Sequence, residues 1–148
     1  MGRSPVGDGY RSALPLATNN ELGLRMLYAL DKAQILGLLT SKPKNYKYLY
    51  KPDKIFLGNP NLMHTLCPRV DKGNERETFF YSQLRVSNEI KYPKRGDFYV
   101  NDKYLFEAGG RRKTFEQIKD IPNSFLAVDD TEVGHDCRIP LWMFGLLY

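Results

Sequence analysis

The sequence predicts an α/β domain in which a mixed β-sheet is flanked by helices. Helix-capping signals recur at Thr18, Asn59, Asn74 and Thr114, and short aromatic and β-branched runs separated by turn residues fill 89–108. A further buried-strand run, Ser124–Asp129, follows the last capping signal. The 148 residues, 42% apolar and 26% charged, are one domain's worth of chain.

Residues 1–17, rich in Gly, Pro and Ser, lack periodicity and read as a disordered lead-in. Thr18 and Glu21 have capping-box spacing, and Leu22, Met26, Leu30 and Ala33 recur at helical intervals, so a helix of about fifteen residues is expected with that face buried. Ile35–Leu39 and Lys54–Leu57 read as strands around a basic hairpin. Helix, strand, basic hairpin and strand make the second half of a winged helix over 18–58; the helices that should precede them are missing. Residues 59–148 form the main domain. Asn59 and Pro60 open a short helix, and Asn74 with Glu77 opens a longer one through Phe79, Phe80, Leu84 and Val86, with Glu77 at the edge of its apolar face. Strands follow at Glu89–Tyr92, Gly96–Val100 and Tyr104–Ala108, the last two joined by the turn Asn101-Asp102-Lys103. Thr114 and Gln117 open a helix, Ser124–Asp129 is a strand, and a helix begins at Pro140.

Composition excludes several functions. The longest apolar run, Ile139–Tyr148, is about half a membrane span. No secretory signal opens the chain, and Cys67 and Cys137 do not make a disulfide framework, so a cytoplasmic protein with no membrane partner is expected. No phosphate-binding loop is present, which excludes ATP hydrolysis by this chain alone. His135-Asp-Cys137 is too compact for a zinc site, and His64 reads as a packing residue of its short helix.

The net charge of +5 is concentrated in residues 1–60, with nine Lys/Arg against four Asp/Glu. There Lys42, Lys44, Lys47, Lys51 and Lys54 interleave with Tyr46, Tyr48 and Tyr50, whose alternation would put three rings on one strand face. Such a ribbon can follow a phosphate backbone; it can equally be a hairpin with solvated lysines. A second basic group, Arg111, Arg112 and Lys113, precedes the helix expected at Thr114 and offers another anion contact.

Helix, three strands, helix, strand is the core order of restriction-endonuclease-like nucleases. In that fold acids on adjacent strands hold Mg²⁺, and a lysine two residues after the second acid assists. The matching positions are Asp97 and Glu107 as catalytic and metal-binding residues, with Glu77 as an outer catalytic acid. Register decides whether the pair meets: a three-residue turn sets Asp97 opposite Glu107 on one face, whereas a two-residue turn throws them to opposite faces. The assisting lysine is absent, because Gly109 stands there; Arg111, Arg112 or Lys113 would have to swing in from a displaced position. Alternatively, Asp97 and Glu107 form a cross-strand polar pair tied to Lys94, Arg95 or Arg111.

Lys51–Met63, Arg76–Phe80, Gly96–Phe98, Phe106–Gly110 and Ile139–Gly145 together resemble the C-terminal region of a family of bacterial and archaeal AAA-type ATPases, a domain of unknown function related to restriction-endonuclease-like folds. The resemblance spans about residues 18–148. It implies an ATPase, a winged helix and this nuclease-like domain in series, of which the ATPase and the first winged-helix helices are missing here, so that an ATPase module in trans is one possible partner, and glycine after the strand acid as a common family feature. The expected function is a non-catalytic nuclease-like module binding DNA or a partner protein. The alternatives are a Mg²⁺-dependent nuclease and a truncated gene remnant without independent function.

Overall fold

The structure, a computed structural model, describes residues 21–42 and 47–147. The expected lead-in, the Thr18 cap, Lys44 and Tyr46 lie outside these residues.

Helix α1 (Glu21–Lys32) leads into β1 (Leu36–Leu39), which pairs antiparallel with β2 (Lys54–Leu57). The rotation of α1 differs from expectation. Leu22 and Met26 are 68% and 60% exposed, while Gly23, Tyr28 and Asp31 turn inward. Polar anchors set this rotation: the Tyr28 hydroxyl donates to Tyr50 O at 3.0 Å, and the Leu38 N–H donates to Asp31 Oδ1 at 2.9 Å. The second bond satisfies a buried strand donor, which outweighs the apolar periodicity of the helix. No strand forms over 47–50, so the expected row of tyrosines is not present among the described residues.

Helix α2 (Pro60–Leu66) starts as the sequence predicts, with Asn59 Oδ1 accepting the Leu62 N–H at 3.1 Å. Helix α3 (Lys72–Leu84) starts before the expected Asn74 cap. Asp71 takes that role by accepting the Asn74 N–H at 2.9 Å. Val86 lies beyond the helix end and is exposed.

The main sheet runs in the order β3 (Ile90–Lys91), β4 (Phe98–Val100), β5 (Tyr104–Gly109), β6 (Ser124–Val128) and β7 (Arg138–Pro140). The first three strands are antiparallel, and β5, β6 and β7 are parallel. Asn101 and Asp102 carry the β4–β5 turn at φ 53° and 51°, a left-handed geometry that short polar side chains tolerate.

Two expectations fail after β5. No helix opens at Thr114; the segment to Ile121 is a series of turns, with Ile118 N–H bonded to Phe115 O and Ile121 N–H to Ile118 O. Phe115, Ile118 and Ile121 are three apart, which suits tight turns that stack every third side chain. The Ser124 hydroxyl then lies 2.8 Å from Ile118 O and 2.6 Å from Ile121 O, drawing on carbonyls that a longer helix would use. The tail likewise adds strand β7 before a 3₁₀ helix, Leu141–Leu146, in place of a helix from Pro140.

Phe80, Phe98, Phe106 and Phe144 centre one core on the α3 side of the sheet, with Phe80 and Phe98 ring centroids 4.9 Å apart. Leu39 and Phe56 of the first sheet belong to the same core, so the expected boundary at 58/59 crosses shared packing. Leu105, Ile118, Leu126 and Val128 form a smaller core. Among the described residues no helix is long and apolar enough to cross a membrane.

Candidate functional site

Period-two alternation sends Phe106 and Ala108 of β5 into the aromatic core and leaves Leu105 and Glu107 toward the smaller one. The β4–β5 register pairs Phe98 with Phe106, so one step outward sets Asp97 opposite Glu107, as the three-residue turn predicts. The chain enters β4 through Gly96, at φ 79°, where a Cβ would stand 3.2 Å from Phe106 O. Asp97 then bonds on both sides of Glu107: its N–H donates to Phe106 O, and its Oδ2 accepts the Ala108 N–H, each at 2.9 Å.

Glu107 is 2% exposed. Its Oε1 lies 2.5 Å from Lys113 Nζ, and its Oε2 has no hydrogen-bond partner. A buried carboxylate with an empty oxygen is costly, and such groups mark sites where a further cation or donor is accommodated.

Glu77 projects from α3 and Lys54 from β2 to complete the cluster. Lys54 Nζ stands 2.9 Å from Glu77 Oε2 and 3.7 Å from Asp97 Oδ1. Glu77, Asp97 and Glu107 against Lys54 and Lys113 leave three negative charges facing two positive ones. Burial pushes the Glu77 carboxyl above its usual range despite the Lys54 hydrogen bond, and the Asp97 charge adds to that rise. Burial alone would lower the Lys54 ammonium, but the hydrogen bond and charge of Glu77, with that of Asp97, raise it.

Lys113 reaches Glu107 from a turn. Its N–H closes onto Gly110 O at 2.9 Å, and the Arg138 guanidinium donates to Arg111 O and Lys113 O, both at 2.9 Å. The Lys113 stem then lies over Gly109, where a Cβ would come within 2.6 Å of Lys113 Cγ.

The other sequence-derived candidates separate from this cluster. Lys47 and Lys51 occupy exposed positions, and Lys42 stands 4.7 Å from the Tyr50 ring centre. Lys54, expected with them in the basic ribbon, turns inward instead because it shares a strand face with core residue Phe56. Arg111 and Arg112 are exposed and precede turns, not a helix N-terminus. The alternative partners for the acid pair do not engage it: Arg95 donates to Gln117 O, and the cations at the acids are Lys54 and Lys113. His64 is no packing residue; its Nε2 lies 2.6 Å from Glu75 Oε1 at the surface. That contact, with Lys72, holds the Glu75 carboxyl below its usual range. The sequence reading missed Arg138 altogether, and the two-residue spacing of Lys54 and Phe56 was the signal that could have placed Lys54.

Among the described residues no group of three or more His, Cys, Asp or Glu side chains is arranged to hold a metal ion. Mg²⁺ needs fewer, because it retains waters and binds through one or two carboxylates. Of the central pair, Glu107 Oε2 has no hydrogen-bond partner, while Glu107 Oε1 meets Lys113 and Asp97 Oδ1 lies 3.7 Å from Lys54 Nζ. Comparison with protein-family models, curated proteins and solved structures found no match.

Proposed function

We propose that this chain is a nuclease-like domain that holds Mg²⁺ or Mn²⁺ at Asp97 and Glu107 and hydrolyses phosphodiester bonds in nucleic acid. The observation that carries this reading is the unpartnered, buried Glu107 Oε2 beside Asp97, with an ammonium already directed at the same carboxylate. A divalent cation held there activates water and offsets charge on the phosphate. On this reading Glu77, whose proton affinity burial raises, is the outer acid that takes a proton from the attacking water. Water adds to phosphorus, the bond from phosphorus to one sugar oxygen breaks, and that oxygen takes up a proton, leaving a phosphate monoester and an alcohol.

This reading takes the main sheet as restriction-endonuclease-like and α1, β1 and β2 as a partial winged helix. It takes the whole as related to the C-terminal region of AAA-type ATPase proteins, with an ATPase module as a partner. A second reading, binding of nucleic acid without cleavage, is favoured by one observation: Lys54 already places a cation between Glu77 and Asp97. Lys42, Lys47, Lys51, Arg111 and Arg112 then form the backbone contacts.

Incubation with supercoiled plasmid and Mn²⁺ tests both. The hydrolytic reading expects nicking by the wild type and a loss of about 100-fold or more in Asp97→Asn, the scale of removing one group that stabilises transition-state charge. An intact plasmid with the wild type ends that reading. A gel shift that weakens steeply with salt then supports binding alone.

A further inference from the structure

We propose that the cavity between α3 and the 3₁₀ helix Leu141–Leu146 binds a nucleobase, stacked on Trp142 and held by its hydrogen-bonding edge at Arg76 and Asp129. This site needs neither a metal nor cleavage, and so goes beyond the hydrolytic reading above. The cavity holds about 300 Å³, the size at which pockets for small organic molecules begin. Asp129, directly after β6, places it at the carboxyl end of a parallel strand, where α/β sheets commonly take ligands. Arg76 and Glu77 are neighbours on α3, about 100° apart around its axis, so the cavity and the acid cluster lie on different faces of the helix.

Flat apolar walls meet a polar rim there. Phe79 is fixed, packed against the aromatic core and seated over Gly145, where a Cβ would stand 3.2 Å from Phe79 Cζ. Leu141 is buried, while its neighbour Trp142 is 52% exposed; among the described residues no ring stacks on Trp142 and no acceptor takes its indole N–H. A large ring that borders a cavity with no other ring upon it is a stacking surface for a base. The charges narrow the ligand. Lys72 pairs with Glu75 at 3.0 Å and Arg76 with Asp129 at 3.0 Å, so the four lining charges cancel and the cavity does not select an anion. Arg76 Nε and Nη2 go to Asp129 Oδ2 and Asp130 Oδ2, which leaves Arg76 Nη1 and Asp129 Oδ1 with no partner among the described residues. A spare donor and a spare acceptor beside a flat ring complement a nucleobase, whose edge sets acceptors and donors side by side; an alkyl chain would leave both unpaired. The Arg76 guanidinium also lies over Gly110, 3.2 Å from where a Cβ would stand, and the chain continues from there into the exposed Arg111 and Arg112. These are cations for the phosphates of a strand that delivers the base.

Trp142 is the only tryptophan in the chain, so its emission reports on the cavity directly. The full chain in EDTA is titrated with adenosine, cytidine, guanosine and uridine, with a short single-stranded DNA, and with benzyl alcohol as a ring that lacks the paired edge. Saturable quenching by nucleosides is expected, about tenfold or more tighter than by benzyl alcohol. By calorimetry, Trp142→Ala should bind about tenfold more weakly, and Trp142→Phe, which keeps a ring, within about threefold of wild type. Tighter, salt-sensitive binding of the oligonucleotide assigns the base to a strand held at Arg111 and Arg112; an oligonucleotide that binds no better than the nucleosides assigns it to a free nucleoside. No saturable quenching by either, benzyl alcohol binding as tightly as the nucleosides, or undiminished binding by folded Trp142→Ala overturns the assignment. The wild-type titrations decide the matter should Trp142→Ala fail to fold. Plasmid nicking has no part in these outcomes, so an intact plasmid ends the hydrolytic reading and leaves this one standing.

Discussion

The two halves of the main sheet are held by different means. In β3, β4 and β5 neighbouring strands are antiparallel, and the turn at Asn101-Asp102-Lys103 fixes a register that sets Asp97 beside Glu107. That arrangement can fail only by a whole-residue slip, which would throw every side chain to the opposite face. In β5, β6 and β7 the strands are parallel, and turns replace the crossover helix that usually connects such strands. What this half contributes to the site, Lys113, depends on one guanidinium and one missing side chain. The carboxylates are therefore fixed by backbone pairing, and their counter-cation by side-chain chemistry. Substitutions in the parallel half should disturb the ammonium while leaving the acid pair in place.

Arg138→Ala tests that contrast most severely. The strand itself survives, since β7 pairs with β6 through backbone groups, but the carbonyls of Arg111 and Lys113 lose their donors. Two charge-assisted bonds at a half-exposed position are worth about 2 kcal/mol together. At roughly 3 °C per kcal/mol for a chain of this size, thermal unfolding should fall by about 6 °C. Mn²⁺ affinity should hold, and nicking should fall about tenfold. A variant that loses Mn²⁺ binding as well would show that the halves are not separable.

Gly109→Ala is a smaller change with a more specific signature. The added methyl meets the base of Lys113, and such overpacking costs about 1 kcal/mol. In a Lys113→Gly background the three closest atoms it meets are gone, and the same methyl should cost much less. A double-mutant cycle of unfolding free energies should thus give a coupling of about 1 kcal/mol between positions 109 and 113. Equal costs in both backgrounds would remove the competition on which the placement of Lys113 rests.

The same division decides what could be read from the sequence. The antiparallel half was legible because its information is local: a turn of three residues and alternation by two are enough to oppose Asp97 and Glu107. Asn59 as a cap is equally local. The Thr114 spacing misled because capping signals report only how a helix could start; Ser124, Phe115 and Ile118 decide that it does not continue. The α1 face misled because Asp31 answers to Leu38, a contact outside the helix. Arg138 was invisible for the same reason: it lies 25 residues from Lys113, and nothing nearby marks its two carbonyl partners.

Glu77 lies against Lys54, with the charges of Asp97 and, more weakly, Lys113 acting on it, and its titration gives the subtlest test. Its folded carboxyl holds a proton to higher pH than the unfolded value of 4.5. Between those two points the folded state binds more protons than the unfolded one, so rising pH removes stability. Glu77→Gln cannot titrate. The stability of wild type minus that of Glu77→Gln should therefore fall as pH rises past 4.5 and level off once Glu77 is ionised. Lys54 gives a second arm with its own sign. Its raised ammonium contributes stability below 10.5, which is lost as pH rises through the folded value. Removing the Glu77 charge takes away the leading cause of that rise, so the alkaline loss should be shallower in the variant. A difference curve that instead rises with pH up to about 4.5 and is flat above it would mean that Lys54, not burial, governs Glu77. The cluster would then be a closed ion pair and not a site held open for a cation.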